Sequence, residues 1–269
     1  MRILVSNDDG YNAPGIIALA QALSTVAEIT VVAPSRNRSA TSNSITVDRA
    51  LRVERADNGY FYVDDGTPAD CVHLAVTGLL DFRPDLVVSG INPGANVGRS
   101  VYHSGTVGAA LTGRNGHISG IAISQAVTGF GVEGQGWDDA IATQHWDSAA
   151  TVAARVAQSL LDDMPVEPVV VNINVPDLPL EAFGTWRHAE VGDQPPRSMA
   201  AATMKPIPGH QDAYTVEMGW GDPETLAPET DGGVIERGDV AITYLTRLAH
   251  HDRPDLGSIG KALDNLLSS

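Results

Sequence analysis

Two adjacent carboxylates, Asp8 and Asp9, stand where a short apolar run breaks off. Ile3, Leu4 and Val5 read as a buried strand, and the chain then passes straight into Asn7-Asp8-Asp9-Gly10. In a continuing strand neighbouring side chains point to opposite faces, so the two acids could not converge. Gly10 permits a turn, which lets both face one spot at the strand's carboxyl end. Two ionised carboxylates ~4 Å apart repel by about 4 kcal/mol at an effective dielectric of 20. The segment carries no Lys or Arg after Arg2 to offset this, and a hard divalent cation is the best match. The plainer reading is that the acids cap the next helix, where Asp is favoured.

A second chemical stretch is Gly90-Ile91-Asn92-Pro93-Gly94-Ala95-Asn96-Val97-Gly98, which follows the apolar run Asp85 to Ser89. Its glycines and asparagines describe a loop whose backbone approaches something closely. No Gly-Lys-Ser/Thr follows, so it is not a P-loop, and the Gly-x-Gly-x-x-Gly order of a dinucleotide site is absent. His103-Ser104-Gly105-Thr106-Val107 then opens a small-residue helix. Its free amides and two hydroxyls could take an anion, or Ser104 could simply cap the helix. A third stretch, Pro34-Ser35-Arg36-Asn37-Arg38-Ser39, is a polar loop in which Ser39 could offer an oxygen to a cation. An ordinary loop serine is the plainer reading.

These stretches need a frame. Pro14 to Leu23 has apolar residues at helical spacing, and Ile29 to Ala33 is a second buried strand. Strand, helix, strand within about thirty residues implies a parallel pair with a right-handed crossover. Ligands in such sheets bind beyond the strands' carboxyl ends, which puts Ser39 on the same rim as Asp8 and Asp9. Residues 50 to 64 read as a hairpin turning at Asp57-Asn58-Gly59. Thr67, Pro68 and Asp70 open a helix running to Leu79, with Cys71 as a buried packing residue. Further strands are expected at 118–124 and 168–174, with a long helix over 146–161. Val127 to Gly136 reads as a Gly-rich loop.

Beyond residue 180 the strand–helix rhythm stops. Strands are expected at 185–191, 213–218 and 240–245 and a terminal helix at 256–267, while 192–212 and 219–239 are rich in Pro, Gly and acids. The expected fold is a Rossmann-like, doubly wound, mostly parallel α/β core over residues 1–180. A β-rich C-terminal arm with its helix occupies 181–269.

Composition narrows the partners. The 269 residues carry a formal net charge of -16, with Lys205 and Lys261 the only lysines. That argues against a nucleic-acid duplex, which needs clustered cations, and against an anionic membrane. Cys71 is the single cysteine, so no intrachain disulfide and no cysteine zinc cluster can form. No apolar run reaches the ~18 residues of a membrane span, and a cytoplasmic protein is expected.

Several motifs in order now resemble one family. Ser6-Asn7-Asp8-Asp9-Gly10, Ala33-Pro34-Ser35-Arg36-Asn37-Arg38-Ser39, Ser89-Gly90-Ile91-Asn92 with Asn96 and Gly98, and Ser104-Gly105-Thr106-Val107 are similar to the survival protein E (SurE) family of metal-dependent 5′-nucleotidases. Gly66-Thr67-Pro68, Asp70-Cys71 and Asn172-Ile173-Asn174-Val175-Pro176 also look like its landmarks. The likeness covers about the first 180 residues and thins afterwards, with Thr230-Asp231 and Ala241-Ile242-Thr243 similar to its C-terminal region. It implies that Asp8, Asp9, Ser39 and Asn92 ligate one Mg²⁺ or Mn²⁺ per subunit. It also implies that Asn96, Ser104, Gly105 and Thr106 hold the phosphate of a nucleoside monophosphate, with Asp8, Asp9 and Asn96 as the catalytic set. The C-terminal arm would build a homodimer or homotetramer. His103 departs from the family's usual Tyr, and residues 125–146 look expanded. Rival readings fit less well. An aspartyl-phosphate phosphatase needs Asp-x-Asp, yet Ser6 and Gly10 stand two before and two after Asp8. A receiver domain needs an Asp where the central strand here ends in Ser89-Gly90.

Overall fold

A computed structural model describes residues 1–127, 140–195, 199–222, 225–246, 248 and 254–267. The opening apolar run is strand β1 (Arg2–Ser6), followed by helix α1 (Pro14–Leu23) and strand β2 (Glu28–Pro34). Both flanks of β1 are paired in parallel, Ile3 with Ile29 of β2 and with Leu86 of β5 (Leu86–Pro93). Alternation then decides the layers. Ile3 and Val5 enter the core with Ile16, Leu19 and Leu23 of α1 and with Ala149 and Ala153 of a later helix. Leu4 faces the other way, onto Cys71 and Val72 of α2 (Pro68–Leu74) and Ala109 of α3 (Gly105–Asn115). A strand buried on both faces needs a continuous apolar sequence, which is what Ile3-Leu4-Val5 provides.

The remaining strands are β3 (Arg52–Arg55), β4 (Phe61–Asp64), β6 (Gly120–Gln125), β7 (Val170–Val175), β8 (Trp186–His188), β9 (Met199–Pro206), β10 (Tyr214–Trp220) and β11 (Val240–Leu245). The later helices are α4 (Trp146–Asp162), α5 (Asp231–Glu236) and α6 (Gly257–Leu267). Nine strands form one sheet in the order β3-β4-β2-β1-β5-β6-β7-β11-β8. From β1 the chain first moves outward to β2 and later returns to β5 on β1's other side, so the topological switch point lies between β1 and β5. The acid pair follows β1, and Asn92 lies at the end of β5.

The expected capping box is present: Asp70 N–H donates to Thr67 Oγ1 at 3.0 Å, and Thr67 N–H to Asp70 Oδ2 at 2.9 Å. The helix it opens does not run uniformly to Leu79, since after Leu74 it widens into a π-turn over Ala75–Leu79, inside which Gly78 takes φ 152. Only glycine holds that backbone without strain.

Residues beyond 180 contribute in two ways. β11 pairs antiparallel with β7, and β8 parallel with β11, so both extend the main sheet. β9 and β10 form a separate antiparallel pair. β9 lies where residues 192–212 suggested no strand, because backbone pairing to β10 settles a stretch whose Ala, Thr and Met show no clear alternation. The Gly-rich loop read at 127–136 falls, from residue 128 on, outside the described residues, as does most of the 125–146 segment. Among the described residues no helix is long and apolar enough to cross a membrane.

Candidate active site

The turn after β1 is built by its own side chains. Asn7 Nδ2 donates to the Gly10 carbonyl at 2.8 Å, and Gly10 N–H donates back to Asn7 Oδ1 at 3.2 Å. Gly10 sits at φ 109, with the Arg36 backbone 3.4 Å from where a Cβ would stand. This clip turns Asp8 and Asp9 out of strand alternation. Asp8 is buried, and Thr106 Oγ1 donates to its Oδ1 at 2.6 Å. The Gly105 and Thr106 amides at the start of α3 also face this carboxylate. A Cβ on Gly105 would come within 2.9 Å of Asp8 Oδ2, so the helix closes on the acid only because residue 105 is glycine. Asn37 Nδ2 donates to Asp9 Oδ1 at 3.3 Å. Among the described residues no Lys or Arg pairs with either carboxylate.

Burial therefore dominates the pair's electrostatics. Desolvation raises the Asp8 pKa against the opposing Thr106 hydroxyl and backbone amides. Asp9 is pushed up to about 8, first by desolvation and then by the Asp8 charge. Buried like charges without a counter-charge are costly. The arrangement suits a group that supplies positive charge from outside the chain.

The Pro34–Ser39 loop arrives beside the pair because Arg38 N–H donates to the Asp8 carbonyl at 2.6 Å. Its arginines are committed elsewhere. Arg36, Arg38 and Arg49 converge on Asp65 at 2.5, 2.7 and 3.2 Å, and the hydrogen bond from Arg36 leads in holding the Asp65 carboxyl below its ordinary value. Ser39 follows Arg38 directly, is exposed, and donates its backbone N–H to Asn37 Oδ1 at 2.9 Å. Asn92 is half-buried, and its Nδ2 donates to the Gly94 carbonyl at 2.6 Å. That commits the amide nitrogen and leaves Oδ1 as the end a cation could use. Two carboxylates, an amide oxygen and a hydroxyl are hard oxygen donors of the kind Mg²⁺ and Mn²⁺ prefer.

Asn96 is buried and clamped through its backbone. Its N–H donates to Asn174 Oδ1 at 2.7 Å, and its carbonyl accepts from Asn172 Nδ2 and Asn174 Nδ2 at 3.1 and 3.2 Å. One N–H of its side chain goes to Ser124 Oγ at 2.8 Å. Gly90 lets β5 pass close to β6, where a Cβ would lie 2.7 Å from Ile123 Cγ2. Ser104 caps α3 by accepting from Val107 N–H at 3.1 Å, and the Thr106 hydroxyl is engaged by Asp8. The anion nearest this helix start is thus Asp8 itself. His103 is exposed; its carbonyl accepts from Ser42 N–H at 3.1 Å.

Sequence reasoning missed Ser124, and it named Asn172, Asn174, Thr243 and Asp231 only as family landmarks, without the part each plays: Thr243 Oγ1 accepts from Asn172 Nδ2 at 3.2 Å, and Asp231 accepts from Gly98 N–H at 3.1 Å. The available signal was two asparagines at alternate positions in the apolar strand Val170–Val175, a pattern with no place in a strand buried on both faces unless the amides have partners.

Fold and geometry together define a doubly wound α/β protein with a desolvated carboxylate pair at its switch point. The chain belongs to the SurE family: the family model described as Survival protein SurE matches residues 3–197. It is 43% identical over 257 residues to a Methylococcus capsulatus protein named 5′-nucleotidase SurE, covering 95% of each chain. A Nitrosococcus oceani protein of the same name is 42% identical over 258 residues, covering 94% of this chain and 96% of the relative. The crystal structure of SurE protein from Aquifex aeolicus matches with a TM-score of 0.76 at 30% identity, over 99% of both chains.

Proposed function

We propose that this chain hydrolyses nucleoside 5′-monophosphates to nucleoside and phosphate, using one divalent cation, Mg²⁺ or Mn²⁺, per subunit. The observation that carries the reading is the desolvated, uncompensated carboxylate pair at the switch point. The name of the relatives at 43% and 42% identity, 5′-nucleotidase SurE, supports the substrate class.

Asp8, Asp9, Ser39 and Asn92 would hold the cation. A bound cation supplies charge to neutralise the phosphoryl oxygens and lowers the pKa of a coordinated water. The chain's own groups do the rest. Asp8 is fixed by Thr106 and the α3 amides, so Asp9 is the freer acid, placed to orient the attacking water and take its proton on a carboxylate oxygen. Asn96 spends one amide N–H on Ser124 and keeps the other for a phosphate oxygen. Gly105 and its neighbours at the start of α3 close the phosphate side, where Ser104 can still donate its hydroxyl proton. With aromatics at 5% of residues, base stacking contributes little, and base preference should be modest.

Phosphate release from a panel of nucleoside monophosphates, after EDTA treatment and with each cation restored, tests this. Metal-dependent release from several 5′-monophosphates is expected. Release that persists in EDTA would overturn the metal role, and a preference above about a thousandfold for one base would overturn the breadth.

The same proposal makes the protein a homodimer or homotetramer assembled through residues 181–269. Met204, Val216 and Met218 of the β9–β10 pair and Ile259 and Leu263 of α6 are each more than half exposed. Apolar surface on that scale marks an interface more often than a free face. Light scattering that gave a fully active 28.3 kDa monomer would remove this part.

A further inference from the structure

Asp231 lies beyond the residues matched by the family model, is fully buried, and has no part in the chemistry above. Gly98 N–H donates to both of its oxygens at 3.1 Å, and its Oδ1 also accepts from Gly192 N–H at 3.1 Å and Gly232 N–H at 2.9 Å. Among the described residues no Lys or Arg pairs with it. Gly98 follows Asn96 by two positions. Val97, between them, is fully buried in a cluster with Ala189, Val234, Ile235 and Ala241, with Ala95 packed against it. Gly98 itself takes φ +54, and a Cβ there would run into the Gln194 backbone. The Asn96 loop is therefore held from one side by Asn172 and Asn174 of β7 and from the other by the segment that carries Asp231.

A buried carboxylate without a cationic partner is an expensive way to make a structural contact, and apolar packing would stabilise the same loop at lower cost. What it does offer is an acceptor with two oxygens on which three amides converge, held more tightly than neutral acceptors hold them. That fixes the backbone of one loop to a narrow geometry, which recognition of a phosphate oxygen by Asn96 requires. We propose that Asp231 is a positioning residue for phosphate recognition, acting through Gly98 to hold the Asn96 loop in its binding conformation. The inference rests on the reading of Asn96 as a phosphate contact.

The test is a double-mutant cycle on the full-length, Mn²⁺-loaded protein: Asp231→Asn, Asn96→Ala and the pair together, with kcat, KM and inhibition by inorganic phosphate measured for each. Asp231→Asn should raise KM and the phosphate inhibition constant about tenfold. On the Asn96→Ala background it should add less than about twofold, because both act on one contact. The Mn²⁺ concentration for half-activation should stay within about twofold of wild type, since the acid pair is on β1. A merely structural role would lower the melting temperature and leave KM alone, and that result overturns the inference, as does full additivity. If Asn96→Ala raises KM and a folded Asp231→Asn does not, this inference alone fails. If Asn96→Ala leaves KM unchanged, the reading of Asn96 fails and takes this one with it. Should Asp231→Asn not fold, Val234→Ala loosens the same wall against Val97. It should raise KM about threefold with the same loss of effect on the Asn96→Ala background, and an unchanged KM overturns the inference.

Discussion

Replacing Asp9 with asparagine should stabilise the metal-free protein at neutral and alkaline pH while removing its turnover. The Asp9 carboxyl is raised from an ordinary 3.8 to about 8 by desolvation and by the charge of Asp8. The folded state then holds that proton more tightly than the unfolded chain does. Its contribution to stability is complete below about pH 4 and is lost as pH climbs through 8. At about 1.36 kcal/mol per decade the span sets a ceiling of roughly 6 kcal/mol. Coulomb repulsion of two charges ~4 Å apart gives about 4 kcal/mol at an effective dielectric of 20. Asp9 is partly open to water, which lowers both, so about 2–4 kcal/mol is expected at pH 8. For a chain of this size that is roughly 5–10 °C in Tm. The Asn37 contact survives, because asparagine keeps an oxygen acceptor. Melting curves of EDTA-treated wild type and Asp9→Asn from pH 5 to pH 9 give the answer. The wild-type curve should fall across this window more steeply than that of the variant, which keeps the raised Asp8 carboxyl, and the two should converge toward pH 4. Saturating Mn²⁺ should reverse the order, since the cation stabilises the state whose carboxylates are ionised. Equal or lower stability of Asp9→Asn at pH 8 without metal would refute the electrostatic account.

Other outcomes follow from the same geometry. Asp8→Asn should lower kcat/KM at least about a thousandfold and Ser39→Ala only about tenfold, because one supplies charge and the α3 contact while the other supplies a neutral, exposed oxygen; phosphate release at saturating Mn²⁺ measures both. Gly105→Ala should cost about a hundredfold or more in kcat/KM, as its Cβ would stand 2.8 Å from Asp8 Cβ, with a raised Mn²⁺ requirement as the distinguishing readout. At net charge -16 the protein repels a free phosphate monoester over long range, so raising salt from about 10 to 150 mM should lower KM a few-fold as the screening length shortens from ~30 to ~8 Å. A KM that rises with salt would point to a basic recognition surface instead.

What was legible in the sequence was whatever is written locally. Ile3-Leu4-Val5 breaking into Asn-Asp-Asp-Gly gave the strand and its acid-bearing turn. The spacing from Pro14 to Leu23 gave α1 with its observed bounds, Thr67-Pro68 with Asp70 gave a capping box, and Val240 to Leu245 gave β11. The elements that were missed have weak local signals. Asp231–Glu236 is a helix of six residues with two glycines, stabilised by packing against Val97 rather than by propensity. β9 exists through its pairing with β10.

The site divides along the same line. Its chemical residues announce themselves by type, but the groups that hold them are distant in sequence: Asn172 and Asn174 act on Asn96 across 76 and 78 positions, and Asp231 on Gly98 across 133. Each is a polar group buried to the point where it must find a partner. A sequence shows that such a residue is out of place in an apolar strand or at a helix start. Which backbone amide resolves the conflict is decided only by the sheet order. β7 comes next to β6 and within reach of the loop after β5, and β11 brings the C-terminal segment back against that loop. A loop fixed by distant buried acceptors is stiff only while the whole sheet is intact. For that reason the loss of β11 or α5 should be felt first in phosphate affinity and only later in the acid pair on β1.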